Sequence, residues 1–351
     1  MLLNDLNLRI LLLLCLGTCL NSIGYADSVS SSYQWGRGLD LYSGNLNLGG
    51  YAHVSLEQLA SGKPHVSLND VSLFISASPS DSIRFFSEIE LENVLTTKNK
   101  SNLSIALRIE RLYIDYLATD TITLRLGKWL TPFGRWNVVH AAPLVWTTTR
   151  PFMTDEHLFP NHSNGAMLSK KFDINDHNLD VSVYIDDSDH LDPRKDPIDF
   201  ENAIGSRINL EVTNQLQIGF SYLGFKRSDI HEVRNHLFGA DFFWKYQGYE
   251  LQSEFSYRHT PNGRDSEKGL YLQGVAPLTK HFFVVGRYDY LDGTHRLDGM
   301  NYHQQSTLHT VTTGLAWRPF VPLVMKAEYR FGDNHQNIAP NGFFTSIAVF
   351  F

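Results

Sequence analysis

From about residue 45 to the end of the chain, apolar and polar residues alternate with period two, and helical periodicity is nearly absent. The alternation predicts strands near 46–56, 66–78, 82–94, 103–117, 121–130, 163–172, 178–187 and 201–212. A second set follows near 215–226, 234–247, 248–260, 268–278, 281–292, 307–318, 323–332 and 342–351. Most have the ~9–11 residues that carry a tilted strand across a bilayer. The faces are chemically distinct. Segment 82–94 sets Ile83, Phe85, Ile89 and Leu91 against Arg84, Glu88, Glu90 and Glu92, and segment 323–332 sets Met325, Ala327, Tyr329 and Phe331 against Lys326, Glu328 and Arg330. Such faces fit a soluble sandwich as well as a barrel, so the connections have to discriminate.

The connections alternate in length without a miss. Short turns fall at 79–81, 118–120, 175–177, 213–214, 247–248, 279–280 and 319–322; the intervening connections are 57–65, 95–102, 131–162, 188–200, 227–233, 261–267, 293–306 and 333–341. Long loops on one side and tight turns on the other mark a transmembrane antiparallel β-barrel, here all-β with about 16 strands. An even count puts both termini on the short-turn, periplasmic side. The outward-facing strand ends on that side include Tyr116, Trp244, Tyr246, Trp317 and Phe351, which reads as an aromatic girdle at headgroup depth. One strand breaks phase: Leu103, Ile105, Leu107 and Ile109 are in step, whereas Leu112, Ile114 and Tyr116 are shifted by one. An inserted residue near Glu110-Arg111, a β-bulge, restores the outward face.

The N-terminus changes the picture next. Arg9, the apolar run 10–16 and the small residues of Gly24-Tyr25-Ala26 read as a secretory signal peptide over residues 1–26. Residues 27–44 are then a periplasmic N-terminal segment and 45–351 the barrel. Both cysteines, Cys15 and Cys19, fall in the signal, so cleavage after Ala26 leaves a chain without disulfides, thiolate metal sites or a cysteine nucleophile. Leu16-Gly17-Thr18-Cys19 is an alternative lipoprotein cleavage box, with Thr18 a poor fit before the cysteine. The apolar run 10–16 is too short and too early for a spanning helix, and nowhere else is there a run of about 18 apolar residues. A net charge of −7 argues against nucleic-acid partners. The final run Phe343–Phe351 is apolar on alternate positions and ends on an aromatic residue. It resembles the C-terminal signature of bacterial outer-membrane barrels, which implies an outer-membrane location, lipid contacts, and reading of the strand ending at Phe351 by the barrel-assembly machinery.

Residues 131–162 form the longest connection, and a loop of that length is usually functional. It is rich in aromatic and apolar residues, so it is expected to pack on a surface, and in a large barrel that surface is the inner wall. The run Gly127-Lys128-Trp129-Leu130-Thr131-Pro132-Phe133-Gly134 resembles the corresponding segment of the phosphate-selective porin O and P family. The resemblance implies a third external loop folded into the lumen, passive diffusion of small hydrophilic solutes or ions, anions such as phosphate among them, and a homotrimer. Lys128 and Arg135 sit at the motif, while the family's lysine cluster and arginine ladder have no residue-by-residue counterpart. Pore-constriction and lumen candidates are Lys128, Arg135, Arg150, Asp155 and Glu156 at the loop, and Arg84, Arg108, Arg125, Arg207, Arg287, Arg330, Glu88 and Glu90 on the wall. Rings and rows of charge set ion preference. Two arrangements remain open: opposite charges that cross-link the wall of a general diffusion pore, or a basic track of Arg84, Arg108 and Arg125 facing an acidic one.

Other classes leave weaker marks. There is no nucleophile-elbow pattern for an outer-membrane hydrolase, and Ser163 beside His162 is ordinary loop chemistry. Fifteen histidines admit metal capture, with His140, His157 and His162 near the long loop, yet they lack tight ligand spacing. A structural or adhesin barrel with a plugged lumen is the third alternative. The expectation is a channel without catalysis or cofactor.

Overall fold

The computed structural model describes residues 31–60, 62–97, 105–154, 158–174, 177–191, 200–227, 230–261, 266–296, 303–333 and 339–351. The expected signal peptide therefore lies outside the described residues. Two short strands, β1 (Ser32–Gln34) and β2 (Gly38–Leu41), precede sixteen long ones among the described residues, from β3 (Leu46–Leu59) to β18 (Gly342–Phe350). Each long strand pairs antiparallel with its sequence neighbours, and β18 closes the sheet on β3, from Gly342 opposite Leu59 to Phe350 opposite Tyr51. The result is a closed, sixteen-stranded barrel with no free edge.

The outer face carries the apolar alternation. On β6 (Ala106–Leu117), Leu107, Ile109, Leu112, Ile114 and Tyr116 are all exposed. Between them the register skips one residue: Ile109 pairs with Ile89 and Arg111 with Glu88 of β5 (Ile83–Thr96), leaving Glu110 as the extra residue of a bulge. The phase slip in the sequence and the bulge are the same event. Because the insertion is a single residue, Glu110 and Arg111 both turn to the inner face, where an unbroken strand would place only one.

Two boundaries differ from the sequence reading. Strands β11 (Leu216–Arg227) and β12 (Ile230–Tyr246) run on past the apolar alternation, as do β15 (Phe282–Arg296) and β16 (His303–Phe320). Arg227 pairs with Ile230 and Arg296 with His303, so the expected connections 227–233 and 293–306 are largely ladder. Backbone pairing continues once a strand leaves the membrane, whereas the side-chain alternation that reveals it stops.

The segment 27–44 is not separate from the wall over its described part. Leu39, Asp40 and Leu41 of β2 pair with Leu48, Asn47 and Leu46 of β3, immediately beyond the stretch that β18 occupies. Thus β2 and β18 lie end to end along one strand, and Trp35 of the turn packs on Phe320 at a centroid distance of 5.6 Å. At the junction Phe351 exchanges backbone hydrogen bonds with Gly50, N to O at 2.9 Å and O to N at 3.0 Å. Its ring lies over Gly50, where a Cβ would stand 2.8 Å from the ring and 2.1 Å from the carbonyl oxygen of Ser72. Only glycine leaves room for the terminal aromatic at this seam.

Replacing Gly50 by leucine is expected to displace Phe351 and destabilise the barrel by about 1–3 kcal/mol, the usual penalty for overpacking. A lowered urea midpoint of the heat-modifiable band in cold gel electrophoresis is the expected outcome; an unchanged midpoint would show that the seam is not packed as described.

Candidate functional site

The connection 131–161 is held in three places. At its root, Asn137 donates to the carbonyls of Thr131 (2.8 Å) and Asn161 (2.9 Å), and the Thr131 hydroxyl meets Pro160 O and Ser163 Oγ, both at 2.9 Å. These bonds staple the two ends together. Pro132-Phe133-Gly134 then turns the chain, with Gly134 at φ +65°, a left-handed conformation that suits glycine. Past the turn, the Trp136 amide donates to Glu254 Oε1 at 2.6 Å, an oxygen that also accepts from Tyr271 OH at 2.6 Å. Glu254 belongs to β13 (Tyr249–His259) and Tyr271 to β14 (Glu267–Pro277), far around the wall from β7 (Ile122–Leu130), where the connection starts.

The second hold is apolar. Phe133, Phe152, Met153, Leu158 and Phe159 form one buried cluster with Phe200, Leu223, Phe225, Leu237, Tyr271, Leu291 and Leu308 of the strands. The wall has space for it: a Cβ on Gly239 would stand 2.5 Å from the Phe133 ring.

The third hold is ionic and lies at the far side. Glu328 of β17 (Leu323–Gly332) accepts from the amides of Thr148 and Thr149, both at 2.8 Å, and from the Thr149 hydroxyl at 2.6 Å. Arg287 of β15 donates to Thr147 Oγ1 (2.6 Å), Thr149 O (2.7 Å) and Thr149 Oγ1 (3.0 Å), and is itself paired with Asp289 at 2.7 Å. Lys326 donates to the carbonyls of Ala142 and Thr147, each at 3.0 Å. Buried ions are tolerable when every one has a partner, and here the loop backbone supplies most of them. These strand side chains alternate with the exposed outer ones and stand on the inner face.

The expected wall charges separate accordingly. Arg287 and Arg330 hold chain segments in place; Arg330 donates to Pro340 O at 3.0 and 3.1 Å and lies over the rings of Phe344 and Phe152. Arg207 forks onto Asp241 at 2.8 and 2.9 Å. Arg125 forks onto Asp115 at 2.7 and 2.8 Å, and Arg108 pairs with Glu92 at 2.8 Å. Glu88 accepts from Arg111 at 2.6 Å, while Glu90 is buried on the same strand. Arg84 is exposed and has no ion pair among the described residues. Of the proposed basic track of Arg84, Arg108 and Arg125, two members are thus neutralised by neighbouring carboxylates, and the track does not exist as a row of free charge. Lys128 is half-buried at the end of β7. Asp155, Glu156 and His157 lie outside the described residues.

The sequence reading placed the bulge at Glu110-Arg111 and named His140 and His162, but it missed their grouping and it missed the threonines. Glu110 Oε1 stands 2.8 Å from His162 Nε2 and 3.8 Å from His140 Nε2, joining β6 to both ends of the connection. The phase slip at Glu110 was the available signal. Thr147, Thr148 and Thr149 carried none. Burial, with Arg150 nearby, lowers the His140 pKa to about 4, so the ring is neutral at pH 7 and its Nδ1–H donates to Asn137 O at 2.8 Å.

No family model matches the chain. An uncharacterized protein of Aquifex aeolicus (strain VF5) is 23% identical over 359 residues, spanning 87% of this chain and 78% of that protein. Among solved structures, Salmonella typhi OmpF in complex with daunomycin is similar with a TM-score of 0.62 at 10% identity, over 92% of this chain and 100% of that one. The trimer form of OmpT, an outer membrane protein of Vibrio cholerae, gives 0.60 at 12% identity, over 87% and 99%. An anion-selective porin from Comamonas acidovorans gives 0.55 at 11%, over 87% and 98%. At these identities the likeness is one of fold, that of the sixteen-stranded outer-membrane barrels. The exposed apolar outer face places this chain in a bacterial outer membrane.

Substituting Glu328 by alanine is expected to release Thr148 and Thr149. Hydrogen bonds to a charged group contribute about 1.5–3 kcal/mol, so their amides should exchange roughly tenfold faster or more in hydrogen–deuterium mass spectrometry, with the strands unaffected. His140 gives a pH prediction. Its folded pKa lies below the unfolded value of about 6.5, so its contribution is complete above that pH and is lost as pH falls toward 4. Protection of residues 137–140 should decline over that window, and His140→Asn, which keeps a donor near Nδ1 but does not titrate, should flatten the decline.

Proposed function

We propose that the protein is a passive outer-membrane porin through which small hydrophilic solutes and ions diffuse, narrowed by residues 131–162, with no catalysis and no cofactor. The observation that carries this reading is the third hold: Glu328, Arg287 and Lys326 fix the middle of the connection to strands on the far side of the barrel from its root. These contacts support a loop that crosses the interior. The passage then lies between the loop and the wall of β3 to β7, lined by paired charges such as Arg111–Glu88 and Arg125–Asp115. Pairing supports the cross-linked wall of a general pore over a dedicated phosphate site, and the likeness to the porin O and P family stays confined to the run from Gly127 to Gly134. Preference for anions is the finer part of the proposal. It draws on Arg135 and Arg318 at the loop and on the similarity in fold to an anion-selective porin. A homotrimer is proposed on the trimer form of one similar structure, and recognition by the assembly machinery on the terminal strand and Phe351.

Reconstitution of the purified chain in a planar bilayer under a KCl gradient should give discrete conductance steps and a reversal potential on the anion-selective side. Steps with a cation-selective potential would remove the anion preference and leave the pore. Silence from protein that shows a folded, heat-modifiable band would favour a plugged structural barrel.

A further inference from the structure

A cavity of about 430 Å³ lies between the loop and the inner wall of β12, β13, β14 and β16. That size falls in the range of about 300–1,000 Å³ that takes small organic ligands. Its charge is one-sided. Arg135, Lys245 and Arg318 line it against the single carboxylate of Glu250. Glu250 is already engaged, by Lys245 Nζ at 2.6 Å and by the Trp146 indole N–H at 2.6 Å.

Two guanidinium groups at the cavity have no carboxylate partner among the described residues. Arg135 lies over the Phe243 ring, its Cζ 3.9 Å from the centroid, and has one long contact of 3.4 Å to Gln217. Arg318 lies 4.3 Å over the Trp146 ring and donates to the carbonyls of Pro143, Leu144 and Val145, while its Nε is buried without a hydrogen-bond partner. Neither has a carboxylate within ion-pair distance among the described residues. Other inner-face arginines have carboxylate partners, Arg207 with Asp241, Arg258 with Glu267 and Arg287 with Asp289, while Arg330 relies on the Pro340 carbonyl and two aromatic rings. Burial also lowers the Arg135 pKa below the ordinary arginine value, although the group stays charged at every physiological pH. Half-buried and without a carboxylate partner, the Arg135 guanidinium keeps N–H donors that an anion from outside the chain can use.

The remaining lining says what kind of anion. Trp136, Trp146, Leu144 and Val145 give the cavity apolar and aromatic surface that a bare inorganic ion cannot use. The Phe243 ring packs against the Arg135 guanidinium, whose planar fork of N–H donors suits bidentate binding of a carboxylate. We propose that this cavity is a binding site for small aromatic carboxylates, the carboxylate on the Arg135 guanidinium in the field of Arg318, the ring against Trp136 and Leu144. The proposal rests on the pore reading for its transport meaning, since it places a solute station on the path past the loop. The binding itself does not require an open channel.

The test uses the full chain folded in detergent micelles, with benzoate as the probe, by titration calorimetry and by the change in tryptophan fluorescence that Trp136 and Trp146 should report. Saturable benzoate binding is expected, weakened at least tenfold in Arg135→Gln and several-fold in Phe243→Leu, which removes the platform and keeps the charge. Cyclohexanecarboxylate should bind several-fold more weakly, and benzyl alcohol and inorganic phosphate weaker still. No benzoate binding by the wild-type chain, or equal binding by a folded Arg135→Gln variant, would overturn the site. Phosphate matching benzoate would reduce it to a general anion site, and benzyl alcohol matching benzoate to an apolar cleft, and either result refutes the assignment. Bilayer steps in KCl keep the two readings apart: steps without benzoate binding leave the pore and remove the site, and binding without steps does the reverse.

Discussion

Inside a hydrocarbon layer a backbone N–H or C=O has no water to turn to, and each unpaired one costs several kcal/mol. A sheet meets that constraint only by closing, and here closure falls between β18 and β3. Everything else in the barrel depends on that seam. Gly50 is bare so that Phe351 can lie over it, and β2 takes up the part of β3 that the last strand does not reach. Once the ladder is complete, the outer face is released to be apolar and the inner face to be charged.

The inner face uses its freedom mainly for construction. Several of its arginines are neutralised by carboxylates on their own or a nearby strand, and further ionic contacts bind the 131–161 connection to the wall. Physical cost explains the pattern. A guanidinium removed from water needs a carboxylate or several carbonyl oxygens, and a loop lying against a charged wall offers its own backbone for the purpose. Arg287, Lys326 and Glu328 serve the loop in this way. The described part of the loop is consequently tied to the barrel wall, and the cationic cavity beside it stands out because Arg135 has no carboxylate partner there.

The sequence made the long strands legible nearly one by one, since a strand with lipid on one side and water on the other must alternate. It even located the bulge, because an extra residue shifts the phase of Leu112, Ile114 and Tyr116. It was silent where that pressure ends. The extensions of β11, β12, β15 and β16 beyond the membrane carry no alternation, and β1 and β2 are too short to show one. The candidate site was legible as residue types and not as pairs. Arg84, Arg108 and Arg125 shared a face in the sequence, yet pairing with Glu92 and Asp115 removed the row they were expected to form.

The sequence by itself therefore determined the barrel, its orientation of faces, the strand-to-strand order and the identity of the long connection, all of which follow from local periodicity and loop length. Only the tertiary structure decided which charges are spent on the fold and which stay available. That depends on contacts such as Thr148 with Glu328 and Arg135 with Phe243, made between residues about a hundred or more positions apart. Their meeting is set by how a loop lies across a closed wall, and no local pattern encodes it.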